Sequence, residues 1–387
     1  MKLSPILLLS ILFLAISCQN DDEEYIATDQ SILNAVFGDN INLEHTAEYQ
    51  NFNIPSYIRF TASGNTIDNK KALLGRILFY DQQLSVNNSI SCASCHHQEN
   101  AFGDTATASI GVNGTTGRHS MRLINTGFQP STNFFWDERV TSLEEQVTQP
   151  IRDHTEMGFS GEQGSPGFDD LLLKLSLIDY YQVLFNEIYG DQLVTEARLQ
   201  ESLSQFVLSI QSFDSEYDAG LMATGNLGGI FPNYNTSENR GKFLFTTTPQ
   251  NGGAGCVSCH VPPEFAIKDN IQNNGVIATI QDAAVFDHTN TRSPSLRNIT
   301  NPEGALNGPL MHNGSFTTIM DMIEHYNAID LTNQQSIDPI LLENNGTTGQ
   351  QLRLSDTDKT ALVDFLKTLS GDDVYTNVKW SNPFLEG

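Results

Sequence analysis

Basic residues are scarce in this sequence: 20 Lys and Arg stand against 46 Asp and Glu, a formal charge of −26 over 387 residues. Such a surface repels phosphate backbones. That excludes nucleic acid as a partner and leaves solubility, or a basic docking protein, as what the charge serves. Membrane-spanning runs are missing too. The apolar stretch from Ile6 to Ile16, behind Lys2, is shorter than the ~20 residues a spanning helix needs and fits a signal segment. Clear alternating strand patterns are absent, so the expected fold class is mainly α. A chain of this length divides into two or three domains, each able to bury its own core.

Cysteine is sparse as well, and its placement is informative. Four of the five cysteines fall in one pentapeptide used twice, Cys92-Ala93-Ser94-Cys95-His96 and Cys256-Val257-Ser258-Cys259-His260. Cys-x-x-Cys-His is the attachment signature of a c-type haem. Two Cys on one helical turn face the same way and can both form thioethers to one porphyrin edge, while the adjacent His ligates the iron. A four-cysteine zinc site or a pair of thiol–disulfide motifs would also use these thiols. Neither explains a histidine after the second Cys both times.

The fifth cysteine, Cys18, follows Ala15-Ile16-Ser17. This resembles a bacterial lipobox, with residues 1–17 removed and Cys18 becoming a lipidated first residue. Ala15 stands where Leu is usual, so ordinary signal cleavage is the other reading. Gln19 to Glu24 is similar to the acidic export tag of surface lipoproteins in some Gram-negative bacteria. The expectation is an exported lipoprotein at the periplasmic face or outer-membrane surface, touching the membrane through its anchor only. Residues 18–54 read as an acidic tether.

Helical periodicity begins at Asp68 and runs to Tyr80, with Leu73, Leu74, Ile77 and Leu78 on the apolar side. Gly75-Arg76-Ile77-Leu78-Phe79 is echoed by Gly241-Lys242-Phe243-Leu244-Phe245, each shortly before a Cys-x-x-Cys-His. Phe102 and Phe265 then follow six and five residues past their His. This is an internal repeat of one module. Further helical patterns run from Phe168 to Tyr189, from Thr195 to Phe213, from Ile319 to Tyr326 and from Ser355 to Leu369. Ser142-Leu143-Glu144-Glu145 fits a capping box. Residues 220–235 read as a linker, which gives domains over 55–225 and 226–387. The architecture expected is two cytochrome c-like domains, each with one covalent haem.

Between about residues 55 and 380 the chain resembles the bacterial di-haem cytochrome c peroxidase and MauG family. The likeness rests on Trp136-Asp137-Glu138-Arg139, Leu143-Glu144-Glu145-Gln146, Pro150-Ile151 and Glu156-Met157, then on Pro294-Ser295-Leu296-Arg297-Asn298 and Met311-His312-Asn313-Gly314. The resemblance implies that Glu156 and Gln146 line a peroxide pocket at the His96 haem, with Glu156 relaying the proton. It implies that Trp136 lies between the haems, and that Tyr326, fourteen residues after His312, is the second axial ligand opposite His260, with Met311 the alternative. Outside that context Glu156 would be a surface acid, Gln146 a helix-surface amide, and Trp136 and Tyr326 core aromatics. His312 matches a family histidine near the second haem.

Two positions depart from the family. Val112 stands where members needing reductive activation carry a distal histidine. His119 stands at an asparagine of the family's calcium site, beside carbonyls matching Asn307 and Pro309; this puts calcium in doubt, since the ion prefers oxygen ligands. The function implied is reduction of hydrogen peroxide by electrons from a small protein such as a cytochrome c or cupredoxin. The alternatives are a MauG-like oxidase of a partner protein and a non-enzymatic electron carrier.

Overall fold

The computed structural model describes residues 29–50, 54–58, 66–129, 133–267, 271–289, 292 and 294–385. The signal segment and Cys18 lie outside them.

The chain becomes regular earlier than the tether reading allows. Helix α1 (Asp29–Phe37) buries Leu33 and Phe37, and Ile41 and Tyr49 beyond it are buried too. So short an apolar stripe among polar residues leaves little periodicity to read. Phe37 packs edge-on against Tyr180 at 5.6 Å and beside Phe384 at 5.0 Å, tying this segment to the body of the protein.

Helix α2 (Asn69–Tyr80) starts where Asp68 accepts from the amides of Lys70 and Lys71 at 2.9 and 3.1 Å. Two four-residue helices follow, α3 (Leu143–Gln146) and α4 (Gln149–Arg152). Ser142 Oγ accepts from Glu145 N at 3.1 Å, the first half of the expected capping box. The pattern expected over 168–189 divides into α5 (Phe168–Ser176) and α6 (Asp179–Tyr189). Ile178 is extended there, and Gln182 Nε2 donates to the freed Ser176 carbonyl at 3.0 Å. Helix α7 (Glu196–Ser209) stops short of Phe213. Asn125 intercepts the backbone: its amide N donates to Ile210 O at 3.0 Å, and its side chain exchanges two hydrogen bonds with Ser212, at 2.8 and 3.0 Å.

The expected linker is helical at its start, in α8 (Glu216–Thr224), and is packed beyond it, with Phe231 and Tyr234 buried. Gly220 lies so close under Phe231 that a Cβ would meet its ring at 2.2 Å. Then come α9 (Thr236–Thr246), α10 (Ile319–Asn327), α11 (Asp356–Lys367) and α12 (Asp373–Thr376). Among the described residues the strands form three antiparallel pairs, each strand two residues long, and the fold is mainly helical.

The repeat is visible in three dimensions. In the first module α2 crosses α7 at Gly75, where a Cβ would lie 1.9 Å from Ser202 O; in the second α9 crosses α11 at Gly241, 1.9 Å from Ala361 O. Each crossing is flanked by three phenylalanines. Phe79, Phe102 and Phe206 pack at 5.1 to 6.5 Å, and Phe245, Phe265 and Phe365 at 5.3 to 6.1 Å. Two apolar cores result, one centred on each module. The chain end departs from a simple second domain over 226–387: Val374 and Trp380 return to the first core. There the Trp380 indole donates to Ser209 Oγ at 3.1 Å, and Tyr80 donates to Trp380 O at 2.7 Å.

Candidate functional site

Each pentapeptide forms a 3₁₀ turn, Cys92–Ser94 and Cys256–Ser258, closed by Cys95 N donating to Cys92 O at 3.1 Å and Cys259 N to Cys256 O at 3.2 Å. The turn brings both thiols and the histidine to one cavity. Each histidine is then aimed by a carbonyl. His96 Nδ1 lies 3.0 Å from Phe102 O, and His260 Nδ1 lies 3.1 Å from Phe265 O. A carbonyl only accepts, so Nδ1 carries the proton and Nε2 keeps its lone pair for the cavity. Phe102 and Phe265 take left-handed φ of 57° and 53°, unusual for bulky side chains, and these presented carbonyls are what that backbone supplies. Burial lowers the His96 pKa and brings His260 down to about 4, so both rings are neutral, the ligating form.

The cysteines are half-buried free thiols on the cavity walls. Burial pushes Cys92 up to about 12, Cys95 to about 11 and Cys256 to about 12. A thiol–disulfide catalyst needs the opposite shift. The two pairs open on different cavities, which a single four-cysteine zinc site does not permit. Two thiols, a neutral imidazole and a large mostly apolar hollow in each module fit a thioether-bound porphyrin.

The first cavity, about 470 Å³, is lined by Cys92, Cys95, His96, Gln146 and Glu156, and also by Arg139 and Asp153. Glu156 is raised to about 7, chiefly by burial and then by the charge of Asp153, with Arg139 opposing. A two-residue hairpin holds this acid in place: Val112 N donates to Glu156 O at 2.9 Å and Asn113 N to Thr155 O at 3.1 Å. The Val112 side chain turns toward Gly158, where a Cβ would meet its Cγ2 at 2.9 Å. His154 turns away to Ser160, with Nδ1 3.2 Å from Oγ.

The second cavity, about 270 Å³, is lined by Cys256, Cys259, His260, Asn274, Met322 and Tyr326. A hollow of about 60 Å³ beside it adds Met311, Arg122 and Trp136. Tyr326 and Met311 share one donor, Asn274 Nδ2, at 3.0 Å from the phenol oxygen and 3.4 Å from the sulfur. Burial holds the Tyr326 hydroxyl well above the usual phenol range, against the Asn274 hydrogen bond.

Trp136 lines both the first cavity and the small hollow, and Ser120 and Met121 do the same. Its indole donates to His119 O at 2.8 Å, and its ring meets His312 edge-on at 6.2 Å. His312 is buried, with Nε2 unpartnered, and its carbonyl accepts from His119 N at 2.7 Å. At the position compared with the family's calcium site, His119 supplies an imidazole whose Nδ1 donates to Ala106 O at 3.0 Å, in place of an amide oxygen.

Sequence reasoning missed Asn274, Arg122 and Arg139 as cavity residues. Asn274 and Arg122 sit in irregular loops with no motif to mark them, and Arg139 lay within a quoted motif as a family letter only.

Helical modules joined through one indole, each offering Cys-x-x-Cys-His to its own hollow, define a class of duplicated c-type sites. Residues 69–225 match the family described as di-haem cytochrome c peroxidase. Relatives include the methylamine utilization protein MauG of Methylophilus methylotrophus, 26% identical over 315 residues, with 79% of this chain and 84% of that protein covered. Another is the cytochrome c551 peroxidase of Nitrosomonas europaea, 27% identical over 313 residues, covering 78% and 80%. Among solved structures, a MauG-like protein associated with microbial copper homeostasis superposes with a TM-score of 0.66 at 25% identity, covering 86% of this chain and 99% of that one. Residues 69–225 thus carry a di-haem cytochrome c peroxidase domain, and the chain is similar along most of its length to both peroxidase and MauG proteins.

Proposed function

We propose that this protein is a di-haem peroxidase that reduces hydrogen peroxide to water with electrons from a small redox protein. The observation that carries the reading is the meeting of His96, Gln146 and Glu156 on one cavity whose wall shares Trp136 with the hollow beside His260. Cys92 and Cys95 would hold one haem and Cys256 and Cys259 the other, and His96 and His260 would bind the irons through Nε2. When bound, the haems supply the iron that takes up peroxide and the electrons that reduce it.

Glu156, raised to about 7 by burial, has both protonation states available near neutrality. As a carboxylate it takes the proton from one peroxide oxygen and returns it to the other, which leaves as water. Gln146 orients the peroxide by hydrogen bonding. Val112, turned toward Gly158, offers no imidazole to this cavity, so peroxide meets an open site without prior reduction of the protein. Trp136 passes electrons between the two sites. The donor docks near the second module, and the acidic surface favours a basic one. Cys18 carries the lipid of an exported lipoprotein.

A second reading, a MauG-like oxidase of a partner protein, is favoured by Tyr326 on the His260 cavity, where the family's peroxidases have Met. A phenolate ligand stabilises ferric and higher iron states, and the phenol would give up its proton on binding the metal. Steady-state assays separate the readings. Peroxide consumption coupled to oxidation of a small reduced cytochrome is expected. Oxidation of a partner protein with no cytochrome turnover supports the second reading, and no peroxide reaction at all leaves only an electron carrier.

A further inference from the structure

Among the described residues, no carboxylate pairs with Arg122. Its stem packs over Gly103, where a Cβ would come within 2.8 Å of Arg122 Cγ, so the side chain is pinned inward. Nη2 donates to the Ser295 carbonyl at 3.0 Å, and Nε is buried with no hydrogen-bond partner. Among the described residues, the titratable oxygen acting on its charge is the Tyr375 phenol. Its neighbours are matched. Arg118 pairs with Asp137 at 2.8 Å and Asp287 at 2.7 Å, Arg297 with Asp218 at 2.8 Å, and Arg292 lies 3.7 Å from Glu138. Leaving one buried guanidinium unmatched among matched ones is costly unless an anion arrives from outside the chain. Arg122 lines the small hollow with His260, Trp136 and Tyr326, where that anion would have to sit.

We propose that Arg122 is a carboxylate-binding residue, whose guanidinium holds a propionate carboxylate of the porphyrin attached at Cys256 and Cys259. The inference rests on the haem reading above and adds to it a partner for one of the porphyrin's own charges. Arg is suited to this, since its donors match a carboxylate and its charge does not titrate away. Arg122 precedes Trp136 in the chain and belongs to the segment lining the first cavity as well, so one stretch would help to anchor the cofactor of the second. Its positive charge also favours the reduced, less positive state of the iron there.

The test compares the haem-loaded wild type with Arg122→Gln and Arg122→Lys by spectroelectrochemistry, with mass spectrometry to confirm two haem increments in each. In Arg122→Gln the reduced-to-oxidised ratio of the C-terminal haem at fixed potential should fall about tenfold, and in Arg122→Lys it should stay near wild type. Unchanged potentials in both variants, or an equal fall in both, with the haems in place, overturn the assignment while leaving the haem reading standing. Absence of haem from wild-type Cys256 and Cys259 overturns both. Should Arg122→Gln fail to mature, resonance Raman of the propionate bending mode decides. A shift between wild type and Arg122→Lys is expected, and identical bands contradict the contact.

Discussion

Glu156 carries the proton chemistry of the account, and its surroundings fix how it should respond to pH. Burial, and then Asp153, raise its carboxyl from 4.5 to about 7. The carboxylate is the form that accepts the peroxide proton, so the rate of reaction with peroxide should rise through about pH 7 and level off above it. Glu156→Gln should remove that inflection and slow the reaction at least tenfold with both haems retained; stopped-flow spectra across pH 5 to 9 measure both effects. The same shift has a stability sign. The folded state holds this proton more tightly than the unfolded chain, so the contribution is fully present below about 4.5 and is lost as pH rises through about 7. Tyr326 gives the second residue-scale prediction. Tyr326→Phe should change the spectrum of the C-terminal haem. An unchanged spectrum, or a Met–iron charge-transfer band in the wild type, hands the position to Met311, which hangs from the same Asn274 amide. The place of His96 on its cavity was legible from the Cys-x-x-Cys-His spacing, whereas Glu156 was reached only through the family resemblance. Asn274 and Arg122 were not legible, because their roles come from loops that only the tertiary fold brings to a cavity.

At the scale of elements, the module is a pair of helices crossing at a glycine. Gly241→Ala would place a methyl 1.9 Å from Ala361 O and 2.7 Å from Phe365 Cβ, forcing α9 away from α11. We expect a loss of about 2–3 kcal/mol and a lower Tm by circular dichroism of the haem-loaded protein. Gly228→Ala, with no contact closer than 3.5 Å, should be nearly neutral. A Gly241→Ala melting curve matching wild type would mean that the crossing does not depend on this approach. The glycine-centred repeat was readable because both copies keep Gly and Phe at the same offsets. The break at Ile178, the early end of α7 and the helical start of the supposed linker were not. Each is decided by a side-chain hydrogen bond to the backbone or by packing, which periodicity does not report: the Gln182 amide, the Asn125 side chain, and Phe231 over Gly220.

For the whole molecule, hollows that share wall residues run from His96 past Trp136 to His260, and the proposed function requires each module to hold a haem there. The neutral aimed imidazoles and the thiols raised out of the thiolate range support a haem in each module, and Arg122 bears on the second. The return of Trp380 to the first core further ties the chain end to the N-terminal module, so the two sites should mature within one cooperative fold. The direct measurement is mass spectrometry of the denatured, exported protein. The account predicts two haem increments that survive denaturation and map by peptide analysis to Cys92/Cys95 and Cys256/Cys259. A mass without haem, or with zinc or disulfides at those four cysteines, would contradict it.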